Sequence, residues 1–161
     1  MRTIVTAIAV VTVVTAAAIE AASFELRYIG QNIVPSGTQA LGTTVGGLSG
    51  IDYAAARGTY AVLSDARSAL NPARYCTVAL DLTRFNRTLT PGRAGVSFDA
   101  VTTLARPDGT PFPRNGVDPE ALCVRGGQLY WDSEGERLAG DLQDPFVREM
   151  HADGSHVCRA R

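Results

Sequence analysis

The amino-acid sequence predicts an all-β fold built from repeated antiparallel hairpins. Outside the N-terminal segment, apolar residues recur in short runs with a period of two, the periodicity of strands with one buried face. Glycine and proline are frequent, with 16 and 8 residues among 161, as a fold with many turns requires. Beyond residue 22 no long apolar stripe has the 3.6-residue period of a helix, so we expect helices to be short or absent.

The N-terminal segment has the three parts of a secretory signal peptide. Arg2 supplies a positive charge, residues 4–14 are apolar apart from threonine, and residues 15–22 are small and rich in alanine. A membrane anchor is the alternative, but the apolar run is short for a bilayer-spanning helix and no basic stop follows it. We therefore assign residues 1–22 to a helical signal peptide and residues 23–161 to a domain that is periplasmic or secreted, without a stable membrane anchor after cleavage.

Two stretches of the chain, residues 47–65 and 116–134, share one layout. In each, a glycine turn separates two short apolar runs, which is typical of a β-hairpin. Aligned without a gap, the matching positions are Gly47 with Gly116, Gly58 with Gly127, and Ser64-Asp65 with Ser133-Glu134. Use of one unit twice indicates a propeller or another repetitive β architecture, although two glycine-turn hairpins can also agree by chance.

Other segments alternate in the same way and are predicted strands. They lie at residues 24–34, 75–82, 96–104 and 145–151, with a last strand beginning at Ser155. The polar segments 35–44 and 137–144 are predicted loops. A ring propeller takes about four to eight blades, whereas this length holds two or three. We therefore expect a partial propeller-like array of hairpins, the N-terminal portion of such a domain.

Composition and spacing argue against several functions. The net charge of -1 gives no basis for nucleic-acid binding through bulk charge. Of three cysteines, Cys76 and Cys123 lie in apolar runs and are predicted small core residues, while the odd count, with Cys158, leaves at least one thiol unpaired. The absence of a C-x-x-C motif argues against zinc. Only His151 and His156 could serve as a histidine base, and no G-x-S-x-G elbow is present, so a serine hydrolase is poorly supported.

Carboxylates mark both ends of the second hairpin. Asp118 and Glu120 flank Pro119 at its start, Glu134 closes it, and antiparallel pairing brings these ends together. Clustered carboxylates repel unless a cation or an arginine balances them, and Ca²⁺ accepts many oxygen ligands in loose geometry. The alternative is that these carboxylates accept backbone N–H bonds in turns. The candidate metal ligands are Asp52, Asp65, Asp118, Glu120 and Glu134.

Six short motifs, taken in order, resemble the phytase-like family described as having esterase-like activity, a family of exported bacterial proteins. They are G-G-L-S-G-I-D-Y at 46–53, L-S-D at 63–65, P-A-R-Y at 72–75, D-P-E-A at 118–121, S-E-G at 133–135 and P-F-V-R-E at 145–149. The resemblance implies a β-propeller-like domain distantly similar to calcium-dependent β-propeller phytases, which hydrolyse phosphate monoesters. Ala66 departs from the family pattern, where a second aspartate is frequent, and such domains are usually more than twice as long.

The resemblance and the residues together suggest an exported, calcium-dependent phosphoric-ester hydrolase acting on a small-molecule phosphate ester. Asp118, Glu120 and Glu134 are the candidate catalytic residues around the ion. Arg67 and Arg74 are the candidates for holding phosphate oxygens. The alternative function is that of a non-catalytic secreted propeller fragment, either a binding module or an inactive remnant.

The signal-peptide assignment predicts where the mature chain begins. Because the small residues that suit signal peptidase end at Ala22, N-terminal sequencing of protein from the periplasm or the medium should begin between Ile19 and Ser23. Cytosolic protein that retains Met1 would contradict the assignment.

Overall fold

The computed structural model describes residues 24–88, 92, 94–138 and 140–157. Within them the chain is all-β, and the one helical segment is a turn of 3₁₀ helix at Leu82–Arg84. The strands are β1 (Gln39–Ala40), β2 (Thr43–Thr44), β3 (Leu48–Ala54), β4 (Thr59–Ser64), β5 (Arg74–Leu80), β6 (Val96–Thr103), β7 (Pro119–Arg125), β8 (Gln128–Ser133), β9 (Glu136–Leu138), β10 (Asp141–Gln143) and β11 (Phe146–Met150). Among the described residues no helix is long and apolar enough to cross a membrane.

Two antiparallel sheets make up most of the fold. The first contains β3, β4, β5 and β6 as neighbours in chain order, the four-stranded arrangement of a propeller blade. The second has the order β7-β8-β11, because β9 and β10 pair with each other as a separate ribbon. Past β11, His156 forms a bridge with Met150 and the Val157 N–H donates to the Glu149 carbonyl at 3.1 Å. Near Ser155, where the sequence predicted a last strand, the described residues thus form this bridge and no further strand.

The two repeated hairpins have the same construction. Each has a β-bulge at the same place, between Leu48 and Ile51 in the first and between Pro119 and Leu122 in the second. Their turns differ, since residues 55–58 connect β3 to β4 whereas Gly126 and Gly127 alone connect β7 to β8.

The structure therefore corrects the ungapped alignment. The Asp65 N–H donates to the Gly47 carbonyl, as the Glu134 N–H donates to the Asp118 carbonyl, so Gly47 corresponds to Asp118 and not to Gly116. Gly126 and Gly127 have φ angles of 56° and 83°, the left-handed conformations of a two-residue type I′ turn.

The main core lies between the two sheets. Leu63 and Tyr75 of the first sheet belong to the same buried cluster as Leu122, Trp131 and Met150 of the second. The Trp131 ring meets two further aromatic rings edge-on, at centroid distances of 5.7 Å for Phe112 and 5.2 Å for Phe146. Such aromatic contacts add to the hydrophobic stabilisation that burial supplies, so the two sheets form one packed unit.

At one edge of this core, strands β3 and β7 approach each other closely. A Cβ atom added to Gly50 would lie 3.0 Å from the Leu122 backbone nitrogen, so glycine allows this approach without a shift of the β7 backbone. One carboxylate oxygen of Asp52 accepts a hydrogen bond from the Val124 N–H at 2.7 Å, and the other accepts from its neighbour Tyr53 at 2.8 Å. Asp52 therefore connects the two sheets through their backbones.

The hairpins and the strands at β5, β6 and β11 agree with prediction, while other segments differ. Residues 24–34 form no strand, only isolated bridges at Gln31 and Ile33. No sheet covers the apolar side chains at the start of this segment, since Phe24 and Leu26 are almost fully exposed. The predicted loop at residues 137–144 contains most of the β9-β10 ribbon. Ring closure is not seen among the described residues, so the propeller-like part of the prediction is supported only by blade-like sheets packed face to face.

Of the cysteines, Cys76 is buried in β5 as predicted, and Cys123 is not. Because Leu122 points into the core, its neighbour in β7 takes the opposite, exposed face of the sheet. Both thiols are free. The predicted signal peptide and Cys158 lie outside the described residues.

Replacing Asp52 with alanine should lower the free energy of unfolding by about 1–3 kcal/mol, because the Val124 N–H between the sheets loses its acceptor. Urea denaturation measures this change. Asp99→Ala, on the exposed face of β6, is the matched control and should have little effect. Equal stability of the two variants would show that the Asp52 contact contributes nothing.

Candidate metal centre

Three carboxylates meet at one end of the β7-β8 hairpin. One ligand oxygen each of Asp118, Glu120 and Glu134 lies within 4.8 Å of the other two. Pairing of Pro119 with Ser133 sets the two ends of the hairpin side by side, and the Ser133 hydroxyl oxygen accepts a hydrogen bond from the Asp118 N–H at 3.1 Å. We call this group the acidic triad. Its members are the three residues that the sequence predicted to converge.

Glu120 lies in the bulge of β7. In β7 two residues, Glu120 and Ala121, lie between the paired positions Pro119 and Leu122, whereas β8 has only Asp132 between their partners. The strict alternation of faces along a regular strand is therefore interrupted here. The freed Ala121 N–H donates to a carboxylate oxygen of Asp132 at 2.8 Å. Asp132 thus stabilises the bulge, and its carboxylate is used outside the triad.

The donor set fits a hard cation. Calcium–oxygen bonds are about 2.3–2.6 Å long, so oxygens on opposite sides of one Ca²⁺ lie about 5 Å apart, and the 4.8 Å spread of the triad falls within that limit. Carboxylate oxygens are ligands that Ca²⁺ and Mg²⁺ prefer. The triad can therefore hold one divalent cation, with further positions left for water or substrate oxygens.

Arg67 is the basic residue beside the triad. Its guanidinium lies 3.5 Å from an Asp118 carboxylate oxygen and 2.5 Å from one of Glu136. The backbone of Arg67 is left-handed, with φ 49°, and its carbonyl accepts a hydrogen bond from the Asn115 N–H at 2.8 Å. The loop after β4 is thereby attached to the segment before β7, and Arg67 is fixed at the edge of the triad.

Glu136 is a residue of this site that sequence reasoning did not select. It begins β9, and its side chain is largely buried against Arg67. The acidic run D-S-E-G-E at residues 132–136 was the available signal. The left-handed Gly135, with φ 78°, places Glu136 beyond the end of β8, and only the tertiary contact with Arg67 assigns it to this site.

The surroundings of Asp118 disfavour its charged form. Burial raises the pKa of the Asp118 carboxyl; the nearby Arg67 opposes that rise, and the negative charges of Glu134, Asp65 and Glu136 add to it. The net direction is upward, so repulsion and burial together outweigh the single arginine. This is the electrostatic imbalance that a bound cation would relieve.

The pKa of Glu120 is also raised. Partial burial is the main cause, and the charges of Glu134, Asp118, Asp65 and Asp132 act in the same direction. Two members of the triad therefore hold protons more tightly than ordinary carboxyl groups do.

Asp65 lies beside the triad, outside the group of three. Its charge contributes to the raised pKa values of Asp118 and Glu120. A Cβ atom added to Gly47 would collide with the Asp65 carboxylate, so the glycine makes room for that side chain. Asp65 is therefore a further source of negative charge beside the triad.

Asp52 and Arg74, two other predicted site residues, make contacts elsewhere. Both carboxylate oxygens of Asp52 accept backbone hydrogen bonds at the β3-β7 contact. For Asp52 this agrees with the alternative to metal binding, in which carboxylates accept backbone N–H bonds. Arg74 is buried in β5, and its guanidinium donates to the carbonyls of Thr44 at 2.7 Å and Pro72 at 3.3 Å. Burial lowers the pKa of Arg74. Neither residue contacts the triad.

Comparison with known families gives a match over most of the chain. The profile of the family Phytase-like, described as "Esterase-like activity of phytase", matches residues 43–160. The chain belongs to the phytase-like family. This phytase-like chain has no significant match among curated proteins or among solved structures. The matched region includes both hairpins, the acidic triad and Arg67.

The raised pKa of Glu120 predicts how the stability of the metal-free protein depends on pH. As pH rises above about 4.3, where a glutamate of the unfolded chain titrates, the unfolded state loses its proton first, so the contribution of Glu120 to stability falls. In EDTA, Glu120→Gln should therefore become more stable relative to the wild type as pH increases from 4 to 7. Thermal melts across that range measure the difference, and a constant difference would contradict the raised pKa.

Proposed function

We propose that this phytase-like protein is an exported hydrolase of phosphoric esters that depends on Ca²⁺ held by the acidic triad. The observation that carries the proposal is the convergence of Asp118, Glu120 and Glu134 within 4.8 Å, in a chain of a family described by the esterase-like activity of phytase. Export rests on the signal-peptide pattern of residues 1–22.

A bound divalent cation would supply two things to phosphate-ester hydrolysis, charge stabilisation of the phosphoryl oxygens and a position for the attacking water. The triad would hold the cation through one oxygen from each side chain. Asp65 is near enough to add negative charge, which strengthens cation binding. A small-molecule phosphate ester is the proposed substrate.

Arg67 is the residue that we propose for phosphate binding. A guanidinium pairs with phosphate oxygens in a planar, two-bond geometry, and Arg67 is held beside the triad by Asp118 and Glu136. When a cation neutralises Asp118, the pull of that carboxylate on Arg67 decreases. The Arg67 guanidinium would then be able to donate hydrogen bonds to a phosphate oxygen of the substrate.

The experiment is calcium titration of the purified chain by calorimetry, combined with hydrolysis of p-nitrophenyl phosphate in Ca²⁺ and in EDTA. We expect saturable calcium binding and turnover that EDTA abolishes. The double variant D118N/E120Q should lose turnover by about a hundredfold or more, because the charge stabilisation supplied by a metal ion is worth several kcal/mol. D99N, which removes an exposed carboxylate from β6, is the control and should retain binding and turnover.

The outcomes separate the two functions. Calcium binding that D118N/E120Q weakens, without turnover of the phosphate ester, would reject the hydrolase and support a non-catalytic calcium-binding module. Absence of calcium binding would reject the metal site itself. Turnover that resists both EDTA and the double variant would place the active site elsewhere.

A further inference from the structure

A cavity of about 350 Å³ lies between the two sheets at the ends opposite the acidic triad. Its walls include the turn after β3 and the Gly126-Gly127 turn after β7. The triad lies near the other end of β8, and a strand of this length spans about 20 Å at 3.3 Å per residue. The cavity and the triad are therefore separate places in the molecule.

Small residues create the cavity. Ala54 and Ala61 on the first sheet and Gly127 on the second leave space between the sheets, whereas Val124 and Leu129 form apolar walls. Toward the triad the same faces are filled by large side chains of the main core. The sheets are thus packed at one end and separated at the other, and the volume lies within the range of small-molecule sites.

The lining of this cavity is largely apolar but includes polar groups, those of Thr59, Thr77, Arg57 and three tyrosines. The Thr59 hydroxyl is buried and has no hydrogen-bond partner in the structure, and buried polar atoms without partners are rare in native proteins. Arg57 is exposed, and within the described part of the chain its guanidinium takes part in no hydrogen bond or ion pair. A hydroxyl donor and an unneutralised cation therefore border one apolar space.

We propose that this cavity binds a small aromatic carboxylate. The apolar walls suit a planar ring, Arg57 would pair with the carboxylate at the rim, and the Thr59 hydroxyl could donate to the bound molecule after a rotation about χ1. The acidic triad would repel such an anion, so we expect the carboxylate to bind at the opposite end of the two sheets, beside Arg57. The inference does not depend on the proposed hydrolase.

The test is calorimetric titration of the full chain with cinnamate and with cinnamyl alcohol, its neutral analogue. Cinnamate should bind with one site per chain, and the alcohol should bind more weakly. Arg57→Ala should weaken cinnamate binding about tenfold, which corresponds to about 1.4 kcal/mol, because the carboxylate loses its charged partner at the rim. Arg125→Ala is the matched control. Arg125 is an exposed arginine next to the Gly126-Gly127 turn of the cavity wall, and its own side chain does not line the cavity.

A second variant tests the location independently of charge. Ala61→Leu places a larger side chain in the cavity and should abolish binding, provided that a cooperative melt shows the variant to be folded. D118N/E120Q should bind cinnamate as the wild type does. The proposal is overturned if cinnamate gives no saturable heat, if the two arginine variants weaken binding equally, if the alcohol binds as tightly as the acid, or if folded Ala61→Leu still binds.

Discussion

The approach of strand β3 to strand β7 is the contact on which the rest of the structure depends. Gly50 allows the two backbones to come close, and the Asp52 carboxylate accepts the Val124 N–H across the boundary. Because each strand begins a rigid hairpin, fixing one against the other also fixes what lies at both ends. At one end the contact sets Asp65 beside the acidic triad, and at the other it sets the width of the apolar cavity. A carboxylate that could have served as a ligand is used instead to align two sheets.

The two hairpins show how one unit can have two roles. They share the bulge and the backbone bond that closes the open end. At the positions of Asp118 and Glu120, however, the first hairpin has Gly47 and Ser49, as the shared bulge aligns them. At these two positions the first hairpin therefore has small uncharged residues, whereas the second has carboxylates. Bulges are frequent next to functional sites, and here the bulge contains Glu120, one of the three carboxylates of the triad.

The charge balance of the site is unfavourable for the metal-free protein. Arg67 is shared between Asp118 and Glu136, and the pKa of Asp118 is nevertheless raised. Burial of the Asp118 and Glu120 carboxyl groups, together with repulsion from neighbouring carboxylates, lowers stability near neutral pH. Such strain is typical of sites organised for a ligand and not for the fold alone. The large aromatic core around Trp131 lies next to this end of the sheets and supplies the packing that offsets the cost.

The sequence by itself determined the parts of this protein that local geometry controls. A Gly-Gly turn between two alternating runs specifies a tight hairpin, and a tight hairpin must bring its two ends together, so Asp118, Glu120 and Glu134 could be placed in one group without a structure. The apolar run around Cys76 predicted its burial correctly, whereas the same argument failed for Cys123. The family followed from the order of short motifs.

Tertiary structure decided which side chains were free to act. Asp52 and Asp65 occupy the same hairpin, yet one is used between the sheets and the other faces the triad, because only Asp52 lies opposite a backbone N–H of β7. Arg67 and Arg74 begin and end one loop, and the fold buries Arg74 against backbone carbonyls while it leaves Arg67 beside Asp118. These outcomes depend on contacts between residues far apart in the chain, and no local pattern of the sequence encodes the distance between two sheets.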